Sequence, residues 1–477
     1  MENNKYLYGL TVQGIQSYIF ETNKLREIVG ASEIVEKMCT TWFKTFIDKK
    51  GIEGKFYLKA AGNIRFETED ENSAKTIFKK YHKKLLKKAP GVPFSQAVVE
   101  IDNNDENKAI DELDAKLRAQ RNRPLYDFDL GLMARRKNRR TGNPAYKKAT
   151  KSNDNEILDI ITWAKHENKE ATALQKKTDI NGITYPIEFK IIAKGSTKSW
   201  LALIHIDGNG MGKRINKIRE RENVLKSLKG FSENVEKSTI AAYQKGVEKV
   251  IQLLKNNNEA TDTLPMRPIV LGGDDLTLII RADLALAFTY AYLDEFEKQT
   301  EENLKDYGGK LTAAAGIVFV KEKFPFHYSA HLAEELTSYA KNISKRKHSC
   351  LHFHMVQDSF VDSYKDIIKK DLTVLKNEHK KDEKDKKFEF IKGPYFLNKT
   401  DAPSISVLLS DIKELKKEDA PTNAMREWID VKFNNPEMAD TIMERIKRKY
   451  GNNYLKIINN TKAYIDYHTL ISVGTKF

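Results

Sequence analysis

The spacing of apolar and polar residues changes period several times along the chain. Lys5 to Val12 alternates like a half-buried strand and stops at Gln13-Gly14. Helical spacing follows over about Leu25 to Ile47. Lys55 to Glu67 reads as a hairpin turning at Ala61-Gly62-Asn63, Glu71 to Lys88 as a second helix, and Pro93 to Ile101 as another strand. The predicted order β, α, β-hairpin, α, β is that of a ferredoxin-like domain.

The same order returns. Ser199 to Ile206 predicts a strand ending at Asp207-Gly208, and helical segments fill roughly Lys213 to Lys255. Pro268 to Arg281 predicts a hairpin turning at Gly272-Gly273-Asp274-Asp275. A helix over Ala282 to Asp306, with the buried run Leu284 to Leu293, precedes a strand over Lys310 to Val320. An amphipathic helix over His327 to Ser344 and a strand over about His348 to Met355 follow. Laid over each other, the copies match Gln13-Gly14 with Asp207-Gly208, and Ala60 to Ile64 with Gly272 to Leu276. Val92 to Ile101 falls on Leu311 to Val320. A whole domain is duplicated. On this overlay the three aspartates of the later copy read Gln13, Gly62 and Asn63 in the earlier one.

With 477 residues and ~150 per domain, about three domains are expected. Hydrophobic residues at 40% and charged residues at 31% exclude disorder throughout. Cys39 and Cys350 are the only cysteines. They exclude a disulfide framework and a cysteine-built zinc ribbon, and point to a reducing compartment such as the cytosol. No run reaches the ~18 apolar residues of a membrane helix. Met1 to Phe20 has no basic segment followed by an apolar one, so no secretory signal is read. A cytoplasmic chain with no membrane partner is expected. The net charge of +15 fits a polyanionic partner such as RNA or DNA, or a lysine-rich surface that is merely solvated. Its densest basic run is Arg135, Arg136, Lys137, Arg139, Arg140, Lys147, Lys148 and Lys151, a candidate RNA or subunit contact. Asn377 to Lys387 is nearly all charged and reads as an exposed loop.

The chemistry concentrates in two segments. Leu203 to Lys213 contains Asp207-Gly208-Asn209-Gly210-Met211-Gly212, and Ile269 to Leu278 contains Gly272-Gly273-Asp274-Asp275, with Asp274 67 residues after Asp207. Each places a carboxylate where an apolar strand ends or turns, and in a ferredoxin-like sheet those strands are neighbours. Converging carboxylates repel unless a hard cation sits between them; Mg2+ takes few carboxylates and fills its shell with water and phosphate. Gly208, Gly210 and Gly212 let backbone approach a triphosphate, and the next helix N-terminus offers free N–H groups. Gly272-Gly273 permits a tight turn open to a nucleotide. Lys341, Lys345 and Arg346 end the helix beginning near His327. They can meet phosphate or merely balance the helix dipole. His348, Cys350, His352 and His354 share one strand face at period two. Their ~6.6 Å separation spreads them too far for one tetrahedral ion, so a polar strand face is expected. There is no nucleophile elbow, no Walker A spacing and no His-Asp doublet.

These segments resemble the active palm of the large polymerase/cyclase subunit of type III CRISPR effector complexes. Gln13 to Phe20 with Leu25 to Ser32 resembles the first, inactive palm, and Pro325-Phe326 through Ala333-Glu334-Glu335-Leu336 to Lys341 resembles the end of the active palm. The likeness covers about residues 5–125 and 195–355; GGDD alone is shared with diguanylate cyclases. It implies an α+β fold: two ferredoxin-like palm domains (βαββαβ) at 1–125 and 196–356, a basic insert at 126–195, and a helical C-terminal domain at 357–477. It implies ATP as substrate with Mg2+ or Mn2+, and cyclic oligoadenylates as product, S-adenosylmethionine being the acceptor in some members. The implied partners are the other CRISPR subunits, guide RNA and target RNA. By position, Asp207, Asp274 and Asp275 with the Gly208 carbonyl would hold metal. Asn209, Gly210, Met211, Gly212, Gly272 and Gly273 would meet nucleotide, Lys341 the triphosphate, and Gly62 and Asn63 the acceptor. Many relatives begin with an HD nuclease domain. This chain starts at the palm, so no DNase is expected. Arg139 to Ala145 replaces a cysteine knuckle, so no zinc is expected, and Asn209 replaces a common second aspartate. A stand-alone cyclic-dinucleotide synthase and a catalytically silent nucleotide-binding scaffold are the rival readings.

Overall fold

The computed structural model describes residues 5–60, 62–102, 105–122, 134–149, 156–170, 172–178, 180, 182–358, 363–374 and 387–477. The first domain has the predicted order. Strands β1 (Lys5–Val12), β2 (Lys55–Ala60), β3 (Asn63–Thr68) and β4 (Phe94–Ile101) form an antiparallel sheet in the order β2-β3-β1-β4. The helix expected over Leu25 to Ile47 is two: after the short α1 (Ile15–Phe20), α2 (Leu25–Cys39) ends where Thr40 Oγ1 turns back to the Glu36 carbonyl, 2.7 Å away, and a new helix spans Thr41–Lys50. α2 forms because Leu25, Ile28, Val29, Ile34, Val35 and Met38 recur at helical spacing; all are buried, each contributing ~1.5–3 kcal/mol. Helix α3 (Glu106–Arg121) covers the other sheet face with Leu113 and Leu117 against Leu7 and Val99.

In the insert, α4 (Ile160–Glu167) crosses α2 at Gly30, where an added Cβ would overlap the Lys165 carbonyl oxygen. The loop at Arg139 to Ala145 is organised by a carboxylate. Asp159 accepts from Asn138 Nδ2 (2.6 Å), Thr141 Oγ1 (2.8 Å), Thr162 N (2.9 Å) and Thr162 Oγ1 (2.8 Å). Of the basic run, Arg140 is committed internally: it makes paired bonds of 2.6 and 2.9 Å to Glu27 and one of 2.6 Å to Glu156. Arg135, Arg136, Lys137, Arg139, Lys147 and Lys148 are exposed. Lys151 lies outside the described residues, as does nearly all of the charged loop from Asn377 to Lys387.

The second domain repeats the first. Strands β5 (Trp200–Gly208), β6 (Met266–Gly272), β7 (Asp275–Arg281) and β8 (Ala313–Lys321) give the order β6-β7-β5-β8. Between them run α6 (Met211–Ile218), α7 (Val224–Asn256) and α8 (Ala282–Asn303), α5 being Thr172–Thr178 of the insert. β5 reads as an unbroken apolar run because both its faces are covered. Ala202, Ile204 and Ile206 pack with α7 and α8, while Leu201 and Leu203 join the first domain's core with Ile28 of α2. α9 (Phe326–Ile343) lies on that second side, and the parallel strand β9 (Cys350–Met355) pairs with β8. The sheet does not stop at the expected domain edge. β10 (Tyr395–Phe396), from the C-terminal region, pairs with β9, and the helices Ile405–Leu415, Thr422–Asn434, Pro436–Asn459 and α10 (Tyr464–Ser472) complete the chain. Tyr395 Oη donates to Asp466 of α10 at 2.6 Å.

The ladders correct the overlay of the two copies. In the first, Leu10 pairs with Ile64 and Gln13 N donates to the Pro93 carbonyl (2.8 Å). In the second, Ile206 pairs with Leu276 and Asn209 N donates to the Thr312 carbonyl (2.7 Å). Left-handed glycines precede the next helix at Gly14 (φ +52°) and Gly210 (φ +77°). Gln13-Gly14 therefore corresponds to Asn209-Gly210, and the counterpart of Asp207 is Thr11. Sequence alone offered two Xaa-Gly pairs, and hydrogen-bond register chose the other.

Candidate active site

Two chain reversals supply the carboxylates. β5 carries Asp207 next to its last residue, and β7, its hydrogen-bonded neighbour, begins at Asp275. Gly272 pairs with Asp275, so Gly273-Asp274 is the two-residue turn, with Gly273 at φ +60°. Thr239 of α7 anchors the turn by donating to the Gly273 carbonyl (2.7 Å). Gly208 then permits the approach: a Cβ there would stand 2.7 Å from Asp274 Oδ2. The result is one oxygen each from Asp207, Asp274 and Asp275 within 4.8 Å of one another, the only such His, Cys, Asp or Glu group among the described residues.

Crowding sets the electrostatics. Burial and the facing Asp207 push the Asp274 carboxyl up to about 6, and burial with both neighbours raises Asp275 well above the usual carboxylate range. An oxygen-only donor set whose carboxyls are raised by mutual repulsion fits a hard divalent cation. Lys341 of α9, expected at the triphosphate, instead pairs its ammonium with Asp207 Oδ2 and donates to the Gly208 carbonyl at 2.9 Å. Asn209 is buried; its Nδ2 meets Thr312 Oγ1 at 3.0 Å, and its Oδ1 has no partner among the described residues. A Cβ at Gly210 or Gly212 would meet nothing within 4 Å, so the mouth of the loop before α6 is open. Met211 packs against the domain's core.

The first palm faces this site. A cavity of about 100 Å³ between the domains is lined by Gln16, Glu36, Gly62, Gly272 and Asp275, so Gly62 and the second palm's hairpin share one space. Gln16 Nε2 donates across the interface to Thr277 Oγ1 (3.3 Å), which meets His205 Nδ1 (3.2 Å); burial lowers that imidazole to about 4 and keeps it neutral. Ser32 donates to the Ile269 carbonyl, closing the interface from α2. Asn63 follows Gly62 on β3. A wider groove of about 1520 Å³, lined by Gln13, Phe78, Leu86 and Val98 of the first palm and Ile160 of the insert, includes none of the three aspartates.

Sequence reasoning gave no role to Glu334, Thr337 or Thr239. Glu334 is half-buried, and its charge adds to the rise of Asp275. Thr337 donates to the His205 carbonyl (3.1 Å), tying α9 to β5. The signal was there: Glu334, Thr337 and Lys341 recur at the spacing of one helix face. Among the described residues, the histidine strand brings no three metal-ligand atoms together. It begins at Cys350, because Ser349 Oγ accepts from Ala313 N (3.0 Å) and leaves His348 outside the ladder. His352 pairs with Tyr364 Oη, and Cys350 Sγ lies 3.6 Å from the Ala340 carbonyl.

Residues 200–350 match the family described as Cas10/Cmr2, second palm domain. No curated protein matches the sequence. Solved structures align over the whole chain at low identity. Csm1 in T. onnurineus gives a TM-score of 0.58 at 10% identity, covering 100% of this chain and 70% of that one. The Csm1-Csm4 cassette in complex with cA4 gives 0.57 at 11%, with the same coverage. The cassette with AMPPNP gives 0.56 at 12%, covering 99% and 70%. Residues 200–350 thus match the Cas10/Cmr2 second palm, and the chain as a whole shares the fold of the solved Csm1 structures. Among the described residues no helix is long and apolar enough to cross a membrane.

Proposed function

We propose that the chain is the nucleotidyltransferase subunit of a type III CRISPR effector complex, joining adenylates from ATP at the second palm. The observation that carries this reading is the convergence of Asp207, Asp274 and Asp275 in a Cas10/Cmr2 palm whose open side faces the first palm. Mg2+ or Mn2+ bound there would activate the attacking hydroxyl and stabilise the departing pyrophosphate. The chain's own groups do the rest. The three aspartates supply the hard oxygen ligands. Gly208 keeps Asp274 in register. The loop over Gly210, Met211 and Gly212 presents free backbone N–H groups at the start of α6 to phosphate oxygens. Gly272 and Gly273 leave room for a nucleotide, and Lys341 supplies a positive charge for the triphosphate. Gly62 and Asn63 place the acceptor opposite, its 3′-hydroxyl in line with the ATP α-phosphate.

Several of the similar solved structures are of a Csm1-Csm4 cassette, one of them in complex with cA4. By that analogy this chain assembles with a Csm4-like subunit, guide RNA and target RNA, and makes cyclic oligoadenylate or an adenylated S-adenosylmethionine. The exposed Arg135, Arg136, Lys137 and Arg139 are its candidate RNA or subunit contact. Replacing Arg135, Arg136, Lys137 and Arg139 by Ala without change in assembly would remove that contact from the reading. The test of activity is product mass spectrometry with ATP and Mg2+ or Mn2+, with and without S-adenosylmethionine, on the chain alone and in its RNA-loaded complex. An adenylate product lost in Asp274→Ala/Asp275→Ala is expected, and its mass names the acceptor. No product under any condition, with ATP bound, would replace this reading with a nucleotide-binding scaffold.

A further inference from the structure

Lys341 stands in an unexpected place. Its stem is packed in α9 with only 9% of the residue exposed, and its ammonium meets Asp207 Oδ2 and the Gly208 carbonyl. Asp207 is one of the ligands that the reading above gives to a metal, and the Gly208 carbonyl is the further ligand that the family resemblance implies. Among the described residues, Lys341 is the one basic side chain in ion-pair contact with any of the three aspartates, through Asp207, and its charge lowers both Asp274 and Asp275 against the effects that raise them. Neither bond is incidental to the helix: Thr337, one turn earlier, fixes α9 on β5 through the His205 carbonyl, which aims Lys341 at the end of that strand.

We infer that Lys341 is a resident counter-cation, occupying the Asp207 and Gly208 donors until a nucleotide's phosphates draw its ammonium away and free them for a divalent ion. This rests on the metal-and-nucleotide reading of the site and adds an order to it. One ammonium offsets part of the repulsion among three carboxylates, so the empty site keeps its shape. It also denies a lone divalent ion two of its oxygens, because an ammonium and a metal cannot share them at contact distance. A triphosphate supplies the alternative anionic oxygens. Nucleotide and metal binding are then coupled through one side chain, and the coupling is reciprocal.

The experiment is Mn2+ binding to the full chain, read as the fall of the free-Mn2+ electron paramagnetic resonance signal, without nucleotide and with AMPPNP. Without nucleotide, Lys341→Met and Lys341→Gln are expected to bind Mn2+ about tenfold or more tighter than wild type, the lower part of the usual range of site coupling. With AMPPNP, wild type gains affinity for Mn2+ by more than either variant does. Lys217→Met removes an exposed charge from the neighbouring helix α6 and keeps the wild-type Mn2+ affinity, separating occupancy from general charge. Thermal melts show that the variants are folded, and Lys341→Gln retains polarity should the methionine disturb packing. The inference is overturned if both Lys341 variants bind nucleotide-free Mn2+ no tighter than wild type, or if Lys217→Met gains equally. Mn2+ binding to none of the proteins, even with AMPPNP, would instead remove the metal site itself, and the inference with it.

Discussion

The two palms share strand order and hydrogen-bond register, yet differ in which strand carries a side chain at the critical crossing. In the second, Gly208 lacks a Cβ and Asp274 fills the space opposite. In the first, the register places Val12 where Gly208 stands and Gly62 where Asp274 stands, and a Cβ at Gly62 would lie 3.3 Å from Val12 Cβ. The gap is filled once in each domain, by an apolar group in one and a carboxylate in the other. Thr11 and Asn63 replace the remaining aspartates. A duplicated scaffold thus gives one copy a charge cluster and the other an apolar plug beside a free surface, which the interface cavity turns toward the cluster.

The sharpest way to break this comparison is to erase the charge cluster. Asp274→Ala/Asp275→Ala should reduce adenylate formation by at least ~1,000-fold in the mass-spectrometric assay, the order expected when groups that hold transition-state charge are lost. Thermal unfolding should stay cooperative, since removing mutually repelling carboxylates relieves strain.

The crossing itself comes next. Gly208→Ala sets a Cβ 2.7 Å from Asp274 Oδ2. Displacing that carboxylate should cost roughly 100-fold in rate. Val12→Ala, at the matching position of the first palm, should cost only stability, about 1–3 kcal/mol by chemical denaturation, with little change in rate. Equal loss of activity in the two variants would refute the assignment of roles.

Smaller effects test how the palms are braced. Gly30→Ala drives a methyl into the Lys165 carbonyl where the insert crosses α2. It should destabilise by about 1–3 kcal/mol, seen as a lower melting temperature, because backbone must move. The second palm extends its sheet to β10, tied by Tyr395 to Asp466. Burial raises the Asp466 carboxyl to about 7. The folded state therefore holds a proton that the unfolded chain releases near pH 4. Stability from this group is complete below that pH and is lost as pH rises through 7. The melting temperature should fall between pH 5 and pH 8 in wild type and fall less in Asp466→Asn.

Much of this was legible because local chemistry carried it. Alternation in Lys5 to Val12 and the apolar run in Leu201 to Ile206 marked strands, and Gly-Gly-Asp-Asp marked a hairpin with carboxylates at its tip. The long helix over Leu25 to Ile47 was not divisible by period, since apolar spacing continues through Thr40, where the backbone leaves helical geometry at φ −115° and ψ −95°. The basic run reads as eight cations of a candidate RNA or subunit contact. Arg140 is bound to Glu27 and Glu156, acids distant in sequence whose approach no local pattern encodes.

Sequence by itself determined the duplication, the element order of both palms and the identity of the aspartates, because these depend on residue type and short spacing. Tertiary structure alone decided which residues of the copies correspond, since register is a property of paired strands and two Xaa-Gly steps fit the sequence equally. It also decided that Lys341 rests on Asp207 and Gly208. That position follows from how α9 packs across β5, a contact between residues 134 and 133 positions apart.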